Sequence, residues 1–156
     1  MIHPDKVQLL ADECGNLKSA MTHLFFSMER TRGLVPRIRE ELSLEELERL
    51  ESLASRFARL ADMLIQRLMR LIDEVELAPP GTVLDRIHRA EKRGWVDDAR
   101  SLIRIRELRN LIAHEYAAEK MMEIYEEIVV VSPDLTKVSQ NALDYAERLV
   151  NSLRDS

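Results

Sequence analysis

The amino-acid sequence predicts an all-α protein, an antiparallel up-and-down bundle of four to five main helices and one short helix. Apolar residues recur at alternating spacings of three and four over most of the chain. The 4 glycines and 5 prolines are few and lie mainly at the boundaries of these stretches. The best strand-like run, at 128–131, is short and follows a helical stretch. At 156 residues, we expect one domain spanning residues 1–156.

The first helix is predicted from about Asp5 to Arg32. Gly33 offers a C-terminal cap, and Pro36 is expected to prevent continuation. The apolar stripe of this helix comprises Val7, Leu10, Cys14, Leu17, Met21, Leu24 and Met28.

The second helix is predicted to begin at Ser43, where Glu46 completes a capping box. It should run for about thirty residues and end before Pro79-Pro80-Gly81, the clearest break in the chain. Its stripe comprises Leu47, Leu50, Ala54, Phe57, Ala61, Leu64, Leu68, Leu71 and Val75.

Thr82 and Asp85 are suited to cap a short third helix that ends near Gly94, and a fourth helix is predicted from about Trp95 to Tyr116. A fifth is expected over about 118–131. Ser132-Pro133 should begin the last helix, because proline is favoured in the first turn. The two longest helices would measure about 40 Å at 1.5 Å per residue, long enough for an extra apolar face to form a dimer interface. A dimeric coiled coil is the alternative arrangement, which the number of segments disfavours.

Bulk properties narrow the possible functions. The net charge of −5 means that any contact with nucleic acid needs a local basic patch. The single cysteine, Cys14, lies on the first stripe and is interpreted as a core residue. No run approaches the ~20 apolar residues of a membrane span, and the first residues do not resemble a signal peptide. We therefore expect a cytoplasmic protein without a membrane segment.

The most informative stretch covers residues 109–116, which read RNLIAHEY. Arg109 falls on an apolar stripe, and an arginine there must be paired or face a cavity or ligand, because an unpaired buried charge is costly. His114 can exchange protons near neutral pH, and Arg109 can hold a phosphate. Asn110, four residues before His114, shares its helix face and could orient the imidazole ring.

Arg109 and His114 are separated by about 140° around an ideal helix, so one straight helix does not bring them together. Convergence requires a bend, an arginine that reaches around the helix, or a second subunit. The structural alternative is that Arg109 pairs with a carboxylate of the bundle while His114 caps a helix end.

Other candidate sites are weaker. Arg86, Arg89, Lys92 and Arg93 form a basic run that could guide RNA, or could be a solvated helix face. No cysteine or histidine spacing indicates zinc, and the chain has no glycine-rich phosphate loop, so neither a metal nor a cofactor is expected.

The motif of Arg109, His114 and Tyr116 resembles the R-x4-H-x-Y motif of the HEPN superfamily, in particular HepT-like toxins and the substrate-binding partners of minimal nucleotidyltransferases. The resemblance covers about residues 50–150. It includes Arg56-Phe57, the break at Pro79-Pro80-Gly81 and the segment from Gly94 to Asp98.

The resemblance implies a homodimer whose two motifs face one cleft. In active members the arginine and histidine cut RNA without a metal. His114 would then be the general acid or base, Arg109 would stabilise the phosphorane and Asn110 would support them. Tyr116 would accept AMP from a cognate nucleotidyltransferase antitoxin.

Two further functions stay open. The chain could be a non-catalytic subunit that binds a nucleotide or presents substrate to a nucleotidyltransferase. It could also be a purely structural dimer in which Arg109 is locked to an internal carboxylate.

Overall fold

The computed structural model describes residues 3–115 and 117–156, and within these residues the chain is helical and contains no β-strand. The predicted all-α bundle is therefore confirmed. No helix in the described ranges combines the length and apolar character needed to cross a bilayer. The α-helices are α1 (Pro4–Thr31), α2 (Leu44–Asp62), α3 (Met69–Val75), α4 (Val83–Lys92), α5 (Ala99–His114) and α6 (Ala118–Arg154).

Two irregular helical segments connect these elements. A 3₁₀ helix, Arg32–Arg37, follows α1 directly. A π-helical segment, Met63–Leu68, joins α2 to α3, so that the three form one continuous rod. The rod is the second predicted helix of about thirty residues.

Polar contacts at the helix ends show how the helices run relative to one another. Lys6 in the first turns of α1 pairs with Glu74 near the end of α3. Gln8 of α1 accepts a hydrogen bond from Arg154 at the end of α6. The α2–α3 rod and α6 therefore both run antiparallel to α1, while α5 packs against α2 and α6 and the short α4 packs against α5.

The predicted apolar stripes form the core. On α1, every residue of the predicted stripe is buried except Met28, which is half-buried. Cys14 is only 5% exposed, as expected for a core residue. Burial raises the pKa of its thiol to about 11, so the thiol stays protonated at neutral pH.

The predicted caps are present in the structure. Ser43 with Glu46, and Thr82 with Asp85, form reciprocal capping boxes at the starts of α2 and α4. Gly94 follows α4 with a φ of 81°, the left-handed conformation that glycine adopts without strain. α5 begins four residues later than predicted because Asp98 caps its N-terminus.

The predicted end of the first helix is confirmed within one residue, because α1 ends at Thr31. The predicted cap at Gly33 is absent, since Arg32 is the capping residue and a 3₁₀ turn that contains Pro36 carries Leu34 into the core, where it is 5% exposed.

The break predicted at Ser132-Pro133 is absent, and α6 continues for 37 residues with Pro133 inside it. Pro133 lies on the exposed face, and the Ser132 hydroxyl donates to the Ile128 carbonyl (2.6 Å).

Candidate functional site

Arg109 is paired within its own chain. From the second half of α5, its Nε donates to Oδ1 of Asp62 (2.7 Å) and its Nη2 donates to Oδ2 (2.9 Å). These hydrogen bonds raise the pKa of the Arg109 guanidinium above its ordinary value. The carboxylate predicted by the structural alternative is therefore present. However, the pair is not sealed in the core, since the two side chains are 33% and 42% exposed.

Asp62 reaches Arg109 from a distinctive place in the rod. It is the last residue of α2, immediately before the π-helical segment. A π-helical turn is wider than an α-helical one and is common at functional sites. The irregular turn therefore lies directly beside the motif arginine.

A cavity of about 400 Å³ opens beside this ion pair. Three guanidinium groups face a single carboxylate in it, and two amide side chains complete the polar wall. The polar lining residues are Asp62, Gln66, Arg67, Arg106, Arg109 and Asn110. Glu13, outside the lining, pairs with Arg67 (3.8 Å), so three positive charges face two negative ones. The remaining positive charge favours an anionic ligand even though the whole chain is acidic.

His114 is placed apart from the other motif residues. It is the last residue of α5, it is exposed, and it does not line the cavity that contains Arg109 and Asn110. No hydrogen bond joins it to Asn110 within the described ranges, so the expected orienting contact is absent in the single chain. The helical geometry thus separates Arg109 from His114, as the angular argument predicted.

The third residue of the predicted motif, Tyr116, lies outside the described residues. Its neighbour Glu115 follows α5 and accepts a hydrogen bond from the backbone N–H of Ala117 (3.0 Å). The proposed role of Tyr116 as an acceptor for AMP therefore stays a prediction.

The basic run on α4 faces mostly inward. Arg89 and Arg93 both donate to the buried carboxylate of Asp73, at 2.9 and 2.7 Å. Arg86 donates to the backbone carbonyl of Ile65 (2.9 Å) inside the π-helical segment. Lys92 is exposed and forms no ion pair in the part of the chain that the structure describes.

Three charged residues of the cavity were not predicted from the sequence. Arg106 lies three residues before Arg109, so helical spacing could have placed both on one face. Asp62 and Arg67 carried no such signal, because their positions beside α5 depend on how the rod packs. Among the described residues, no three His, Cys, Asp or Glu side chains cluster closely enough to hold a metal ion.

No significant match to this chain is found among the models of known protein families, the curated proteins or the solved structures.

Proposed function

We propose that this chain is a HEPN-type, metal-independent endoribonuclease whose active site is completed by a second copy of the chain. The observation that carries the proposal is the cavity beside α5, where Arg109 and Asn110 lie with Arg67 and Arg106. Such a cluster of guanidinium groups suits the phosphodiester backbone of RNA. The motif resemblance adds the expectation of a toxin that a nucleotidyltransferase antitoxin silences.

The ion pair with Asp62 is compatible with this role. A guanidinium carries five N–H groups, and Asp62 accepts from only two of those on Arg109. The remaining three can donate to a phosphate. Asp62 therefore acts as a positioning residue, which fixes the plane of the guanidinium before RNA binds.

The reaction assigns complementary roles to the two motif residues. His114 accepts the proton of a ribose 2′-hydroxyl as the 2′-oxygen forms a bond to the adjacent phosphorus. Arg109 stabilises the charge that develops on the phosphorane. The bond from phosphorus to the 5′-oxygen then breaks, and the leaving oxygen takes up a proton. The products are a 2′,3′-cyclic phosphate and a 5′-hydroxyl end.

A two-fold dimer would solve the separation of these residues. In a symmetric interface, Arg109 of one protomer and His114 of the other can face the same cleft, and the arrangement occurs twice. The exposed position of His114 at the end of α5 leaves it accessible to such a partner.

The direct test is RNA cleavage in the presence of EDTA. Purified protein should cut single-stranded RNA and leave cyclic phosphate ends. His114→Ala should lower the rate by about 10²–10⁴-fold, the usual contribution of a general acid or base. His88→Ala is the matched control, since His88 is an exposed histidine on α4 that does not line the cavity. Equal cleavage by the His114→Ala protein would contradict the proposal.

A non-catalytic nucleotide-binding subunit is the second candidate. It is favoured by the position of His114 outside the cavity and by the partial neutralisation of Arg109 by Asp62. This function predicts that AMP or ATP binds to the wild-type protein while RNA stays intact. Arg109→Gln should then weaken nucleotide binding, and His114→Ala should leave it unchanged.

The proposed antitoxin gives a separate prediction at Tyr116. Coexpression with a cognate minimal nucleotidyltransferase should increase the intact mass by about 329 Da for each AMP added through a phosphodiester bond. The added phosphate places negative charge beside the motif and should repel RNA. Tyr116→Phe should abolish the mass increase, whereas Tyr125→Phe should not, because Tyr125 is buried. An unchanged mass in the wild-type protein would argue against this regulation.

A further inference from the structure

A second cavity, of about 240 Å³, lies between α1 and α2 away from the motif. Three arginines from the two helices line it: Arg30 of α1, and Arg49 and Arg56 of α2. None of them forms an ion pair within residues 3–115 and 117–156. Most of the other arginines, ten of 15, do reach a carboxylate there.

Arg49 carries the clearest sign that the cavity binds a ligand. Its Nε is buried, and no hydrogen-bond acceptor within the described residues reaches it. A buried donor without an acceptor costs about 1–3 kcal/mol, so such groups are rare unless something else binds them. The cavity that Arg49 lines is large enough to hold more than one water molecule.

The other two arginines are held in position by neutral groups. Arg56 donates to the Ser27 hydroxyl (2.9 Å) and to the His23 carbonyl (3.3 Å). Arg30 and Arg56 both lie over the ring of Phe26, at 5.6 and 5.7 Å from its centre. Cation–π contacts and neutral acceptors orient a guanidinium without cancelling its charge.

Two carboxylates limit the ligand. Glu45 and Glu48 also line the cavity, and neither is within ion-pair distance of the three arginines. The local charge is therefore positive by one, and a ligand must present its negative charge to the arginine side of the cavity. A phosphate group suits this requirement, because its oxygens can accept hydrogen bonds from several guanidinium groups at once.

We propose that Arg30, Arg49 and Arg56 form a phosphate-binding site between α1 and α2. This site is distinct from the motif cavity, the cavity beside the ion pair of Arg109 and Asp62. Arg56 and Asp62 are six residues apart on α2, which separates them by about 9 Å along the axis and about 240° around it. The two cavities therefore open on different faces of the rod. The site goes beyond the proposed function and does not depend on RNA cleavage.

Isothermal titration calorimetry of the full chain tests the site with three probes: inorganic phosphate, AMP and a short RNA oligonucleotide. At least one should bind, and Arg49→Gln or Arg30→Gln should weaken that binding by about tenfold or more, the effect of losing one charge-assisted hydrogen bond. Arg32→Gln is the matched control, because Arg32 is exposed and paired with Glu29 on the surface. Circular dichroism melting identifies any variant that fails to fold.

The relative affinities of the three probes identify the kind of ligand that carries the phosphate. If AMP binds more tightly than inorganic phosphate, the ligand is a nucleotide. If the oligonucleotide binds tightly and its affinity falls with salt, the ligand is an RNA backbone. Absence of binding by all three probes would overturn the proposal. Equal binding to wild-type protein and to folded Arg49→Gln and Arg30→Gln proteins would also overturn it, whether or not the motif variants affect RNA cleavage.

Discussion

At the scale of single residues, Asp62 controls both the orientation and the effective charge of Arg109. Its two oxygens hold one edge of the guanidinium, and its charge offsets one of the three arginine charges in the cavity. An arginine on an apolar stripe had to be paired or face a cavity, and the structure shows that Arg109 does both.

Replacing Asp62 separates these two effects. Asp62→Asn should raise the affinity for RNA severalfold, because it removes the negative charge that competes with phosphate. The free energy of unfolding should fall by no more than about 1 kcal/mol, since exposed ion pairs contribute little. Fluorescence anisotropy at fixed salt and urea denaturation measure the two quantities.

Glu29→Gln provides the control for this change. Glu29 also pairs with an arginine, but the pair is exposed and neither residue lines the cavity. An equal rise in RNA affinity for both variants would indicate a general charge effect rather than competition at Arg109.

At the scale of elements, the π-helical segment interrupts the regular helix of the rod without displacing its apolar stripe. The alternating spacing predicted Leu71 for the core, but Leu71 is half-buried and Ile72 is fully buried. A π-helical turn holds more residues than an α-helical turn, yet Leu68 and Val75 of the predicted stripe stay buried, so the stripe continues into α3. The helical residue types at 63–68 give no warning of the irregular turn.

Arg86 supports this turn from α4. Arg86→Gln should lower the free energy of unfolding by about 1–3 kcal/mol, because the Ile65 carbonyl loses its charged donor. Lys92→Gln, on the exposed face of the same helix, should change it by less than about 0.5 kcal/mol. Urea denaturation compares the two. Equal stabilities would mean that the Arg86 contact contributes nothing.

The elements that the sequence predicted well depend on local spacing. Ser43 with Glu46 and Thr82 with Asp85 are separated by three residues, so their capping boxes can be identified without knowledge of the fold. Pro133 misled the prediction because its cost, about 3 kcal/mol in a helix interior, is outweighed by the burial of apolar residues on both sides of it, such as Ile128 and Leu135. Tertiary packing, which local rules do not include, keeps α6 intact.

At the scale of the whole molecule, an acidic chain concentrates arginine side chains in two cavities. The motif cavity was partly predictable, because Arg109 and Asn110 belong to a recognisable motif. The carboxylate that holds Arg109 and the arginines of the second cavity come from positions distant in sequence, or from helix faces whose neighbours are set by packing.

Mixing two inactive variants tests the composite site of the proposed dimer. Arg109→Ala and His114→Ala proteins should each be inactive alone. When the two variants are unfolded and refolded together, random pairing makes about half of the dimers mixed. In each mixed dimer, one of the two sites contains a wild-type Arg109 facing a wild-type His114, so about a quarter of the wild-type number of active sites should be restored. The RNA cleavage rate measures this recovery.

A second mixture of variants is the control for this experiment. Mixing His114→Ala with an Arg109→Ala, His114→Ala double variant supplies no intact histidine and should stay inactive. If the first mixture also stays inactive although mass spectrometry detects mixed dimers, the two residues do not come from different protomers.

The π-helical segment also allows the rod to differ in length by one residue without moving the site. A π-helical turn holds about one residue more than an α-helical turn, so deletion of one residue between Met63 and Leu68 would leave a regular α-helix that turns through nearly the same total angle. With α3 held in the core, Asp62 would still face Arg109. A related sequence with a one-residue gap here is therefore expected to keep the carboxylate partner of the motif arginine.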